Sequence, residues 1–236
     1  VIDFYQAYAS DWDSRFKESA STRAFHRIRL ASFLDVACLS RTDRCIEVGV
    51  GTGQYIADIA ARVKEIVCVD GSQAMLDVLL QKNSRVGNMS VKCMNVEEDS
   101  WSSFGTCDLL YCFGLIEHII HPREFVERCK TVLAPGGRVV FVTTNGACPW
   151  YGVMRRVFRS GKHCSTDRYY DKAALDAIMR ECGLYPQRYR YWGYFPAGIN
   201  DGLFRALSCI GMVIDKTWFR RFAGGLTISY GLKKDS

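Results

Sequence analysis

The chain is poor in several features that would have fixed its class at once. Proline occurs only 5 times in 236 residues, and the 20 glycines follow no period, which excludes collagen-like and linker-dominated chains. No apolar run reaches the ~18 residues that a membrane-spanning helix needs. No C-x-x-C pair occurs among the 11 cysteines, an odd number, so neither paired zinc ligands nor a secreted disulfide framework is indicated, and no metal is expected. Cys45, Cys68 and Cys112 sit inside apolar runs, where a free thiol behaves as a small hydrophobe. The first residues, VIDFYQAYASDWDSRF, lack a basic stretch followed by an apolar one. The expectation is a reduced, cytoplasmic protein.

With 48% hydrophobic and 24% charged residues, the chain is too apolar for disorder. Its length suits one α/β domain that folds without a disulfide or metal staple. Net charge is +6 but uneven. Residues 1–154 carry 16 Lys and Arg against 18 Asp and Glu, and residues 155–236 carry 15 against 7. A basic last third suits an anionic substrate, a membrane surface or nucleic acid, or is simply a solvated face. Nucleic acid is disfavoured, because no recognition module is readable there.

Residues 3–18 and 23–39 show helical spacing of apolar residues. Short apolar runs then alternate with helical segments: Arg44–Gly49, Glu65–Val69, Ser90–Met94, Cys107–Phe113 and Gly137–Thr143 read as strands. Helices are expected over Thr52–Val63, Ser72–Asn83 and Pro122–Leu133, with Ala134-Pro135-Gly136-Gly137 breaking the last. The alternation predicts a parallel sheet covered by helices on both faces. A later helix, Lys172–Cys182, and strands Gln187–Trp192 and Leu226–Lys233 follow irregular stretches. The chain therefore reads as a single domain, 1–236, with a helical lid over 1–40 and substrate-side insertions at about 146–170 and 194–225.

The sharpest local signal is CIEVGVGTGQY. Gly49, Gly51 and Gly53 follow the first strand, where glycine permits a tight turn and close approach of backbone to ligand. Gln54 stands where a dinucleotide fingerprint wants its third glycine. Asp70 ends the next strand, 17 residues past Gly53, where a carboxylate can accept both hydroxyls of a ribose. A helix N-terminus that holds a pyrophosphate should have no acid beside it. Glu47 is a poor neighbour for a diphosphate and a good one for a cofactor carrying an amino group and a sulfonium.

Glu47-Val-Gly49-Val-Gly51-Thr-Gly53 resembles the E-x-G-x-G-x-G signature of class I S-adenosylmethionine-dependent methyltransferases. VCVDGSQAML resembles their second motif, CDLLYCFGLIEHIIHP the fourth strand and its loop, and KTVLAPGGRVVFVTTN the helix leading to strand five. RYYDKAALDAIMRECGL resembles the helix before strand six. The likeness extends to the ubiquinone- and menaquinone-biosynthesis members. It implies a doubly wound, Rossmann-like, seven-stranded sheet that is mostly parallel with the last strand antiparallel. It also implies S-adenosylmethionine as cofactor and S-adenosylhomocysteine as product. Cofactor contacts are implied for Glu47, Gly49, Gly51, Gly53, Asp70, Gly71 and Met75, and for Val96 and Phe113. Asn95 replaces an acid that the family often directs at the adenine amino group, and Glu97 and Glu98 beside it read as surface acids.

Tyr5, Tyr8 and Trp12 resemble the Y-x-x-W pattern with which some relatives lid the cofactor, and Tyr8 and Trp12 are assigned that role. An oxygen nucleophile needs its proton removed, and an imidazole suits that near neutral pH. His118, after strand four, ranks first as base and His163, in the basic insertion, second; His121 and His26 rank lower. The expected reaction is O-methylation of a small molecule by a monomer or homodimer. N- or C-methylation, a nicotinamide-dependent oxidoreductase and a non-catalytic cofactor-binding protein are the alternatives. The apolar segment 199–222 is expected to wall the substrate pocket or make a dimer contact, with membrane contact less favoured.

Overall fold

A computed structural model describes residues 2–16, 19–149, 151, 168–194 and 200–233. Seven strands form one sheet: β1 (Arg44–Val48), β2 (Glu65–Asp70), β3 (Met89–Cys93), β4 (Cys107–Phe113), β5 (Leu133–Thr144), β6 (Leu184–Trp192) and β7 (Gly225–Leu232). Their spatial order is β3-β2-β1-β4-β5-β7-β6. Strands β1 to β5 pair in parallel, and β7 lies antiparallel between β5 and β6.

Strand residues alternate between two apolar layers, as the two-residue period of a pleated strand requires. Ile46, Leu110, Cys112 and Phe141 enter one layer. Cys45, Leu109, Tyr111 and Val140 enter the other. All eight are buried, so the central strands read as continuous apolar runs.

Among the described residues the helices are α1 (Ile2–Trp12), α2 (Ala20–Ala37), α3 (Ile56–Ala60), α4 (Gln73–Lys82), α5 (Pro122–Thr131), α6 (Lys172–Glu181) and α7 (Asp201–Ile214). Their starts follow capping chemistry: Ser19, Ser72 and Asp171 accept the N–H groups of Thr22, Met75 and Ala174. The chain winds outward from β1 through β2 to β3, then returns to place β4 on the other side of β1. This reversal leaves a crevice beyond the carboxyl ends of β1 and β4, where ligands of open α/β sheets bind.

Among the expected boundaries that differ, three have a clear physical cause. The helix expected from Thr52 begins only at Ile56, because Gly51 and Gly53 hold positive φ and keep the loop out of helical geometry. The Pro-Gly-Gly stretch does not separate helix from strand; it forms an irregularity inside β5, between pairings Cys107–Leu133 and Leu109–Arg138. Strand β6 starts at Leu184, with a register shift at Pro186. Proline and outward arginines there suit an edge strand, which has no further neighbour to pair with.

Candidate functional site

The cavity beyond β1, β2 and β4 has a volume of about 500 Å³, within the range of small-molecule sites. Its floor is the glycine loop. Gly49 and Val50 donate their N–H groups to the Val69 carbonyl at 2.8 and 3.1 Å, which binds the loop to the end of β2. Gly51 has open space where a side chain would stand, whereas at Gly53 a Cβ would meet Leu79 at 2.8 Å. Gly51 thus leaves backbone bare towards the cavity. Gly53 is outside its lining and serves the packing of the loop on α4.

Gly49 carries φ +69°, and a Cβ there would lie 2.9 Å from Cδ1 of Leu115. Gly49→Ala is expected to lower stability by ~1–3 kcal/mol, the range for residues held in unfavourable backbone regions. An unchanged midpoint in urea denaturation would show that the loop tolerates a side chain.

Asp70 closes the loop from the other side. Its carboxylate accepts the N–H of Gly51 at 2.8 Å and that of Ser72 at 2.9 Å. Burial pushes this carboxyl above its usual range, and the backbone donors pull it back. Met75, fully buried, and Val96 give the cavity an apolar slot beside it. Asn95 also lines the cavity. Its side-chain oxygen accepts the Glu97 N–H at 3.2 Å, so part of its acceptor capacity holds a turn. Glu97 is half-buried and tied down, not a free surface acid: it lines the cavity and accepts the N–H groups of Ile120 and His121 at 2.8 and 3.0 Å. Glu98 lies exposed at the rim.

Glu47 is the most unusual group. It is 3% exposed, and its Oε2 meets no donor. Burial raises its pKa to about 8, while the Tyr111 hydroxyl and Arg29 favour the charged form and Asp70 opposes it. Arg29, on α2, lines the cavity as well, with its guanidinium carbon 5.3 Å from the Phe113 ring centre. Sequence reading missed Arg29. Its signal is faint: a single arginine 20 residues ahead of Gly49, on a helix that also carries Arg23 and Arg27. Phe113 packs against Tyr55 at 4.6 Å.

Helix α1 covers the site. Ile2 packs on Gly71, where a Cβ would meet it at 2.6 Å. Gln6 accepts the Ser72 hydroxyl at 2.7 Å, and Asp13 binds both Thr52 and Lys82, at 2.6 and 2.5 Å. Tyr5 and Trp12 line the cavity and Tyr8 does not; it is 40% exposed and packs on Phe4 at 4.7 Å. The cause is helical spacing: Tyr5 and Trp12 lie about 20° apart around α1, and Tyr8 about 60° away from Tyr5.

His118 lines the cavity and its Nε2 lies 3.3 Å from the Tyr5 hydroxyl. His163 lies outside the described residues. His121 caps no group at the start of α5 and pairs only loosely with Glu124, at 4.0 Å. His26 is turned to Tyr55, 2.7 Å from its hydroxyl, and burial and Arg29 lower its pKa to about 4. Among the described residues no cluster of His, Cys, Asp or Glu could hold a metal ion. The described residues of the segment 199–222 do not line this cavity. Its helix α7 lines a smaller one of about 170 Å³ with Phe25, Ile28 and Trp192, so the described part is not a wall of the main pocket.

A twisted sheet with a glycine loop and a ribose-height acid at its reversal point defines a nucleoside-cofactor-binding α/β protein. Residues 46–141 match the methyltransferase domain family. The ubiquinone biosynthesis O-methyltransferase of Acinetobacter baylyi is 27% identical over 143 residues, and the chain spans 60% of that relative's length with 60% of its own. The Bordetella avium protein of the same name is 25% identical over 203 residues, 83% of this chain and 84% of that one. In fold, the chain matches the Synechocystis PCC 6803 magnesium protoporphyrin IX methyltransferase solved with S-adenosylhomocysteine, at TM-score 0.67 and 13% identity over 98% of both chains. Residues 46–141 thus match a methyltransferase domain, and the chain as a whole has the fold of a methyltransferase solved with S-adenosylhomocysteine.

Proposed function

We propose that the protein binds S-adenosylmethionine and transfers its methyl group to an oxygen of a small-molecule acceptor. The observation that carries this reading is a buried Glu47 oxygen that meets no donor in a cavity whose lining also holds the Arg29 guanidinium. A carboxylate and a guanidinium lining one cavity complement an amino-acid zwitterion, with the ammonium at Glu47 and the carboxylate at Arg29. Asp70 has lone pairs left for ribose hydroxyls after its two backbone bonds. Met75 and Val96 supply the apolar slot for a purine. A diphosphate would instead meet the acid of Glu47, which weighs against a nicotinamide dinucleotide.

When bound, the cofactor supplies a methyl group already activated on a sulfonium. The chain's part is then to align the acceptor and exclude water, which α1 does with Tyr5 and Trp12. His118, at the cavity edge, takes the acceptor's hydroxyl proton, and Tyr5 orients the imidazole.

S-adenosylhomocysteine should raise the melting temperature by binding the folded state alone, while NADP should not. In Asp70→Asn the loop keeps an acceptor but loses the charge. Its affinity for S-adenosylhomocysteine should fall about tenfold, the low end for hydrogen bonds to charged groups. A shift with NADP alone would overturn the assignment.

A further inference from the structure

The main cavity leaves one large feature of the surface unused. On α7, Leu203, Ile210 and Val213 are 52, 52 and 66% exposed. They fall within about 80° of one another around the helix axis, so they form one apolar stripe. Phe204 and Gly211 face the other way, into the small cavity against α2. The stripe is therefore not the helix's core face turned out by mischance; α7 has a separate inner face.

The chain then turns into a short 3-10 segment, Trp218–Phe222, whose Trp218 and Phe219 are 57 and 53% exposed. Lys216, Arg220 and Arg221 are exposed beside them. The Arg221 guanidinium carbon sits 4.3 Å above the Trp218 ring. Of the two acids between 201 and 222, Asp215 accepts the Tyr194 hydroxyl at 2.6 Å.

We propose that this face docks on an anionic lipid surface, with Val213, Trp218 and Phe219 entering the headgroup layer and the basic side chains engaging lipid phosphates. Aliphatic and aromatic side chains beside arginines are the composition of an interfacial segment. Charge complementarity selects the lipid over a second copy: an isologous dimer on this face would set each arginine pair near its symmetry mate. Nucleic acid is a poorer fit, since the exposed aliphatic stripe offers its phosphates nothing. On this proposal the apolar segment is a lipid contact surface in place of the expected pocket wall or dimer contact. The proposed contact is a peripheral one; no helix among the described residues is long and apolar enough to cross a membrane.

The test is co-sedimentation of the full chain with vesicles of phosphatidylcholine alone or of equal parts phosphatidylcholine and phosphatidylglycerol. Pelleting is expected with the mixed vesicles and at least several-fold less with phosphatidylcholine, weakening as salt is raised. Arg220→Glu should lower the partition coefficient by more than about fivefold, the figure for losing one basic residue near the surface. Val213→Asp and Trp218→Ala should each lower it about tenfold, with circular-dichroism melting unchanged because these side chains are exposed. No pelleting, equal pelleting with both vesicles, or pelleting indifferent to Val213 and Trp218 would each overturn the proposal. So would a stable dimer split by Val213→Asp in a protein that ignores lipid.

Discussion

The affinity for S-adenosylhomocysteine should rise about tenfold per pH unit between pH 6 and pH 8 and then level off, a total of about 100-fold. Glu47 is the cause. In the ligand-free chain burial holds its pKa at about 8, so at pH 6 nearly every molecule carries an uncharged carboxyl. An ammonium group placed against Oε2 favours the carboxylate, and binding must first release the proton. Above pH 8 the proton has already gone and the dependence ends. Stability of the ligand-free chain should move the opposite way. A carboxyl whose folded pKa is raised holds its proton more tightly folded than unfolded. Its contribution is complete below the ordinary carboxylate range, about pH 4, and is lost as pH rises through 8. Glu47→Gln should flatten both curves and leave affinity weak at every pH. Titration calorimetry from pH 6 to 9 on both proteins checks this. A wild-type affinity flat with pH would mean that Glu47 is not the ammonium's partner.

Legibility in the sequence tracked how local each feature was. The glycine loop and Asp70 could be found because the residues that must cooperate lie on two neighbouring strand ends, at spacings set by one strand-turn-helix unit. Asp70 even has a local task, holding the Gly51 and Ser72 N–H groups. Strand positions were equally readable, since burial on both faces demands continuous apolar runs. Arg29 was not legible. It reaches the cavity that Glu47 also lines only after α2 folds across the sheet, and nothing in RAFHRIRLASF separates it from its solvent-facing neighbours. Tyr8 and Tyr5 both fit an aromatic lid by sequence, and only the rotation of α1 chooses between them. Glu97 was misread for a related reason. Three consecutive polar residues, Glu97, Glu98 and Asp99, resemble a solvated turn, yet Glu97 is bonded to the backbone at Ile120 and His121. The segment 199–222 shows the limit of composition: its apolar content is plain, but which face is covered depends on where α7 lies against α2.

Turnover should fall by ~10²–10⁴ in His118→Ala, the range for losing a positioned general base, while S-adenosylhomocysteine affinity changes little. The imidazole lies on the 3-10 turn Ile116–His118 that follows β4, in the lining of the cavity, and its Nε2 is 3.3 Å from the Tyr5 hydroxyl. In the proposed function it serves the acceptor, while Glu47 and Asp70 serve the cofactor. If the base reading holds, a more acidic acceptor hydroxyl, ionised before it binds, should be methylated almost as well by His118→Ala as by the parent protein. Alignment alone would treat both acceptors alike. Tyr5→Phe separates the remaining possibility, that His118 serves chiefly to hold the lid. This variant keeps the ring and its packing against Trp12, at 5.2 Å, but loses the hydroxyl. A positioning hydroxyl should cost turnover roughly tenfold, about the 1.4 kcal/mol of a modest hydrogen bond, with KM for the acceptor unmoved. Loss of the melting shift with S-adenosylhomocysteine in either variant would assign the pair to lid closure instead. A loss of turnover below tenfold in His118→Ala, with folding intact, would remove the histidine from the chemistry altogether.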